Sequence, residues 1–313
     1  MVVRLAMPPD GGRIWTKQSR RASLLSYMPL EDHIGDICRK ARVQSGTPTA
    51  KAAHAAGVSE VVLEQFESEG VCRVPLDVGA LARELGLDEA ASQRVALGWE
   101  PPAVDVRRWR ELRMLTTREG FEVNSFVAWD PATRECALFD TGWNARSFFT
   151  LVAEHQLIPR HLFITHTHGD HVAALGEVRR EFPDISLHSN SRHAPAMQRV
   201  THGQRIKLGG LTVESRWTPG HAEDGVSYVL EGWPQGAPSV AVVGDAIFAG
   251  SMGKDFQTPA KAMGAVREQI LTLPGDTLIC PGHGPLTTVA GELCNNPFFA
   301  GAGFAVDPAR RDC

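Results

Sequence analysis

No apolar run in the 313 residues approaches the roughly 20 needed to cross a bilayer, which argues against an integral membrane protein. CxxC spacing is also absent: Cys38, Cys72, Cys136, Cys280, Cys294 and Cys313 stand apart. They read as reduced thiols of a cytoplasmic protein, neither a disulfide framework nor a thiolate metal site. No secretory apolar core is present near the N-terminus, and no repeat of fixed period runs along the chain. Surplus positive charge is missing too. The net charge is −4, and the first 30 residues hold five basic side chains against one acidic, leaving 27 basic and 35 acidic groups in the rest. That balance argues against a globally phosphate-seeking surface.

What remains is an ordinary globular composition, 43% hydrophobic and 22% charged, long enough for one large domain and a small one. Residues 1–30 mix Arg and Ser with Pro8-Pro9 and Gly11-Gly12 and show no periodicity. They read as a disordered tail or a start placed upstream of Met28, in preference to an Arg-rich targeting peptide. Residues 31–90 follow helical spacing: Ile34, Ile37, Cys38 and Ala41, then Ala50–Ala56 after Thr47-Pro48-Thr49 and before Gly57. A third helix with Val62, Leu63 and Phe66 on its apolar face ends at Gly70, and a fourth spans Leu76–Leu85.

The pattern Thr49, Ala53, Gly57-Val58-Ser59, Phe66-Glu67, Gly70, Pro75 and Leu81–Gly86 resembles the helix-turn-helix of Xre-type domains. In such domains the second helix reads the major groove with Arg, Lys, Asn or Gln. Here that helix carries Glu60, Glu64, Glu67 and Glu69 and no Arg or Lys, so phosphate would repel it. A packing or homodimerisation module is the preferred reading over nucleic-acid binding. Residues 91–105, with Pro101-Pro102, read as a linker.

From residue 106 to 313 short β-rich runs alternate with helical ones, the signature of an α/β catalytic domain. Strands are expected at 123–129, 136–139, 161–165, 185–188, 211–217, 226–230, 239–243 and 277–280, and helices at 145–155, 171–182 and 259–273. The sharpest chemical signal is Thr165-His166-Thr167-His168-Gly169-Asp170-His171. Three imidazoles and a carboxylate in six residues form a ligand cluster directly after the apolar run Leu162-Phe163-Ile164. His221 follows one expected strand through Thr218-Pro219-Gly220, Asp245 follows another through Gly244, and His283 a third through Pro281-Gly282. Four ligand segments thus sit just past the carboxyl ends of strands, where distant side chains converge. Alone, His221 or His283 would read as structural; joined to the HxHxDH run they read as ligands. His33, His54, His155, His161, His188, His193 and His202 lack such company. Asp140 in Leu138-Phe139-Asp140-Thr141-Gly142 reads equally as a support for the site or as a strand-end turn.

These residues resemble the metallo-β-lactamase superfamily over residues from about 110 to 300. The resemblance implies an αββα sandwich with its metal site on one edge, here preceded by a small all-α domain. It implies His166, His168 and His221 on a first divalent ion, Asp170, His171 and His283 on a second, and Asp245 bridging. Zinc is the first expectation, with iron or manganese also suited to His and Asp donors. Thr218–His221, Gly244–Phe248 with Gly250–Lys254, and Pro281–Pro285 with Asn296-Pro297-Phe298 look most like the glyoxalase II hydrolases. That likeness implies cleavage of a small thioester such as S-lactoylglutathione, or a related ester, by a hydroxide bridging the ions, with Asp170 orienting it. Two divalent ions outweigh the two carboxylates, so the residual positive field would make hydroxide available near neutral pH. Lys254 matches a basic residue that contacts glutathione; a solvated loop charge is the plainer alternative. The family's tyrosine shortly after the last metal histidine is absent, since Gly284-Pro285 stands there, and about 30 residues follow His283, where the full-length glyoxalase II enzymes carry a helical domain with glutathione contacts. Two alternatives stay open: a persulfide dioxygenase with one iron on two His and one Asp, and a DNA-binding regulator whose metal domain senses a metabolite.

Overall fold

The computed structural model describes residues 28–254 and 258–301. Residues 1–27, which hold most of the expected tail, and Cys313 lie outside the described residues. Five helices come first: α1 (Ile34–Gln44), α2 (Thr49–Ala56), α3 (Glu60–Glu69), α4 (Val78–Glu84) and α5 (Glu89–Ala96). Their starts follow side-chain chemistry, since Ser59, Asp77 and Asp88 each accept from a backbone N–H three residues on. Gly57 and Gly70 close α2 and α3 in the left-handed conformation. Pro48 caps α2 without a side-chain bond. α5 runs across the expected boundary at residue 90 into the stretch read as linker, and the Asp88 cap together with the buried face Ala91, Ser92 and Val95 explains why a helix forms there. Among the described residues no helix is long and apolar enough to cross a membrane.

The remainder runs β1 (Leu112–Glu119), β2 (Phe121–Trp129), β3 (Glu135–Phe139), α6 (Arg146–His155), β4 (Ile158–Phe163), α7 (Gly169–Val172), α8 (Leu175–Glu181), β5 (Ser186–His188), β6 (Arg205–Leu208), β7 (Leu211–Trp217), β8 (Val226–Glu231), β9 (Val240–Gly244), β10 (Ile247–Phe248), β11 (Ser251–Met252), α9 (Pro259–Gln269), β12 (Leu278–Pro281), β13 (Thr287–Thr288) and α10 (Val289–Asn295). One sheet has the order β1-β2-β3-β4-β5, the other β13-β12-β9-β8-β7-β6, and β10-β11 is a separate hairpin. The β3–β4 and β4–β5 pairs are parallel, as is β9–β12. Strand β4 shifts register at Pro159, whose missing N–H interrupts the ladder.

Four layers result. Phe126, Phe139 and Phe163 of the first sheet meet Val213, Tyr228, Leu230 and Val242 of the second in an inner core. Outside the first sheet, Val127, Leu138 and Leu162 pack on Phe148 and Leu151 of α6 and Val178 of α8. Outside the second, Val229, Ala241, Val243 and Ile279 share one core with Ala262 and Val266 of α9, Leu293 of α10 and α1–α5. This is the αββα sandwich preceded by helices that the sequence led us to expect. Alternating strands bury both faces because helices cover each sheet.

The expected helix over 171–182 is two pieces, α7 and α8, broken at Ala173-Ala174. The short or polar elements β1, β6, β10, β11, β13 and α10 were not expected at all. Cys38, Cys72, Cys136 and Cys280 are free and buried.

Candidate metal centre

All seven side chains singled out in the sequence meet at one edge of the sandwich. His166, His168, Asp170 and His171 come from the loop after β4 and the start of α7, His221 from the loop after β7, Asp245 from the end of β9 and His283 from the end of β12. Three overlapping donor groups form, each within 4.8 Å: His166, His168 and His221; His166, His171 and Asp245; Asp170, His171 and His283. On one side His168 Nδ1 lies 3.1 Å from His166 Nε2 and 2.9 Å from His221 Nε2. On the other, Asp170 Oδ2 lies 3.2 Å from His283 Nε2 and 3.4 Å from His171 Nε2. Asp245 faces both sides. Its Oδ2 is 3.4 Å from His221 Nε2 and 3.4 Å from His283 Nε2, and its Oδ1 is 3.3 Å from His171 Nε2.

These spacings fit divalent cations. A tetrahedral ion with bonds of about 2.0–2.1 Å separates its donor atoms by roughly 3.3 Å. His171 Nε2 and Asp245 Oδ1 are buried and make no hydrogen bond, so their lone pairs point at the space a cation would fill. Gly282 keeps that space open, since a Cβ there would stand 2.4 Å from Asp245 Oδ1 and 2.6 Å from His171 Cε1.

Without a cation the carboxylates draw protons to the imidazoles beside them. Burial opposes a charge on His171, but Asp140 and Asp245 raise it to about 10. Burial likewise opposes charge on His283, while Asp170 and Asp245 raise it to about 11. The reciprocal effect holds Asp245 well below the carboxylate range despite its burial, and Asp170 is also lowered. Burial pushes His166 and His221 down, so the other side of the site favours neutral imidazoles ready to donate lone pairs. Loading a metal must therefore release protons from the His171 and His283 side.

A supporting layer sets the tautomers. Asp140 accepts from Thr165 N and Thr165 Oγ1 at 2.7 Å each and from His171 Nδ1 at 2.8 Å. Thr165 Oγ1, its proton given to Asp140, accepts from His166 Nδ1 at 3.1 Å. His283 Nδ1 donates to Glu122 O at 2.7 Å. In each case the outer nitrogen is occupied and Nε2 is left for the centre. The sequence left Asp140 between two readings; the structure makes it a support. It missed Asn124, whose side-chain amide donates to Pro281 O and Gly284 O and whose backbone N–H donates to Gly282 O, so that it grips the His283 turn from both sides. Nothing local in the strand pattern 121–129 marks that residue. Glu292 and Asn296 were missed or unexplained: buried Glu292 accepts from Gly250 N, Thr287 Oγ1 and Asn296 Nδ2, and Asn296 also donates to Ser251 O. Together they hold the β10–β11 hairpin beside Asp245. Lys254 follows Gly253 at the His221 side and its side chain is exposed.

Comparison with known proteins agrees with this geometry. Residues 118–283 match the model of the metallo-beta-lactamase superfamily. A probable metallo-hydrolase, YqgX of Bacillus subtilis (strain 168), is 28% identical over 53% of this chain and 88% of its own length. A hydroxyacylglutathione hydrolase of Xanthomonas euvesicatoria pv. vesicatoria (strain 85-10) is 31% identical over 42% of this chain, which spans only 50% of that relative. The crystal structure of ETHE1 from Myxococcus xanthus superposes with a TM-score of 0.54 at 28% identity, covering 61% of this chain and 85% of that one. With more than half of its length matched by the family model and its seven donors gathered at one sheet edge, the chain belongs to the metallo-beta-lactamase superfamily.

Proposed function

We propose that this chain is a hydrolase with two divalent ions that cleaves a small thioester or related activated ester, in the manner of the hydroxyacylglutathione hydrolases it partly matches. The observation that carries the reading is the place of Asp245, between the His221 side and the His171 and His283 side. A carboxylate so placed is suited to join two ions. His166, His168 and His221 would hold one, and Asp170, His171 and His283 the other. When bound, such a pair of ions brings water near neutral acidity and polarises a carbonyl.

The protein's own part is to position and to screen. Asp170 is partly exposed and carries a carboxylate edge able to accept a hydrogen bond from the attacking water. His168 is exposed, so a substrate approaches past it. None of the seven side chains, once acting as ligands, is free to protonate a poor leaving group. Thiolate, whose conjugate acid has a pKa near 8.5, leaves without such help. Lys254, at the His221 side, would attract an anionic part of the leaving thiol.

A second reading has its own observation. His166, His171 and Asp245 form a compact set of two imidazoles and one carboxylate, the donor set of a mononuclear iron oxygenase such as a persulfide dioxygenase. One experiment separates the two. The purified chain, with its metal content measured, is offered a panel of thioesters including S-lactoylglutathione and, in parallel, glutathione persulfide in an oxygen electrode. Thioester cleavage without oxygen uptake supports the hydrolase; one iron per chain with oxygen uptake defeats it.

A further inference from the structure

The β10–β11 hairpin meets three of the seven donors, and the helical region holds that hairpin. Asp245 leads into it and Gly253 leads out. A Cβ on Gly253 would collide with Asp245 O and stand 2.9 Å from His221 Cβ, so the backbone there passes between the two ligands. Phe248 of β10 makes a T-shaped contact with the His283 ring, their centroids 5.9 Å apart. Lys40 of α1 is 4% exposed and pairs with Asp32. Its ammonium also donates to Met252 O at 2.9 Å and stands 5.3 Å from the centre of the Phe248 ring. One cation thus grips both strands of the hairpin, β10 through a ring and β11 through a carbonyl. Trp99, which follows α5, closes on the turn between them: a Cβ on Gly250 would stand 3.1 Å from its ring.

Stability alone does not explain this lysine. A buried ion pair often stabilises no more than apolar residues filling the same volume. What apolar residues cannot do is fix a carbonyl and a ring at set distances from one charged nitrogen. Two chains of contact start from it. One runs from Lys40 to Met252 and Gly253, and so to Asp245 and His221. The other runs from Lys40 to Phe248 and so to His283. Metal donors must be held to within about 0.5 Å of their working positions, and the side chains and backbone around them do that holding.

We propose that Lys40 is a positioning residue of the metal centre: by clamping the β10–β11 hairpin it sets the placing of Asp245, His221 and His283. The helical region is then a working part of the centre. The proposal rests on the reading of the seven side chains as a metal centre and holds whatever the substrate.

The test reads metal binding by the full chain and needs no substrate. Zinc affinity is measured by competition with a chromophoric chelator, and the visible spectrum of the cobalt(II)-loaded protein reports the geometry of the donors. Asp32→Leu with Lys40→Met removes the clamp without stranding a charge, so the fold should persist. This double variant should bind zinc about 10- to 100-fold more weakly than the wild type and shift the cobalt(II) bands. Glu67→Gln is the control for a loosened helical region, since it weakens the buried contact between α3 and Arg42 of α1. It should leave affinity and spectrum as in the wild type. Hydrogen exchange of the wild type needs no variant: zinc should slow exchange in α1 as well as in the hairpin, because coupling between two sites is reciprocal. Wild-type affinity and spectrum in the double variant, equal weakening by Glu67→Gln, or zinc that leaves exchange in α1 unchanged would each overturn the proposal. A wild type that binds no zinc would overturn the metal-centre reading itself, and the proposal with it.

Discussion

Asp140 Oδ2 lies 2.8 Å from His171 Nδ1, and through Thr165 the same carboxylate also orients His166. One buried acid thus sets the tautomer of two imidazoles that face different parts of the centre. Asp140 holds this position with a left-handed φ of 56°, a conformation that Asp tolerates better than most residues. Asp140→Asn keeps the shape but removes the negative acceptor. It should lower metal affinity by about 10- to 100-fold, measured by competition with a chromophoric chelator. Unchanged affinity would mean that the contact is only a turn.

Glu292 offers a pH test away from the ligands. Burial raises its pKa from 4.5 to about 7, against the lowering effect of hydrogen bonds from Thr287, Asn296 and Gly250. Between those two values the folded chain holds more protons than the unfolded chain, so this group's contribution to stability falls as pH rises and levels off above about 7. Glu292→Gln stays neutral throughout. The melting temperature of the variant relative to the wild type should therefore climb as pH rises from 4.5 to about 7, whatever its constant offset. A difference that does not change with pH would contradict this.

Lys40 and Asp32 are 4% and 8% exposed, so removing one charge strands the other. Lys40→Met should cost about 3–5 kcal/mol in denaturant unfolding. The double change Asp32→Leu with Lys40→Met should recover most of that loss, because the pair's desolvation cost disappears along with its attraction. Equal loss in both proteins would show that the bond to Met252 O, rather than the ion pair, carries the stability.

The metal site was legible in the sequence to an unusual depth because its signals are local. HxHxDH lies within six residues, and His221, Asp245 and His283 each follow a strand through a glycine. Other parts depend on contacts between distant segments. Asn124 sits inside a strand and meets a turn about 160 residues away, and nothing near it in sequence betrays that. Asp32 and Lys40 look like surface charges until α1 is placed against Met252 and the two pair in the interior. Among the elements, β1 escaped notice because its edge strand is half polar, and α5 because Pro101-Pro102 suggested an earlier linker.

The helix-turn-helix resemblance gains a physical limit. Of the four acids on α3, Glu67 is buried and holds Arg42 through two bonds of 2.6 and 2.7 Å, so it is an internal support and would not face phosphate. Glu60, Glu64 and Glu69 are exposed. Fluorescence anisotropy with a labelled duplex at low salt should show no binding. Retention that weakens linearly with the logarithm of salt concentration would instead support a regulator.

The most direct measurement is the number of tightly held ions, read by mass spectrometry of the desalted protein. The wild type should carry two divalent ions per chain, and His283→Ala one, since the His166, His168 and His221 side keeps its donors. A wild type that holds one ion or none, or a His283→Ala variant that still holds two, would contradict the centre described above.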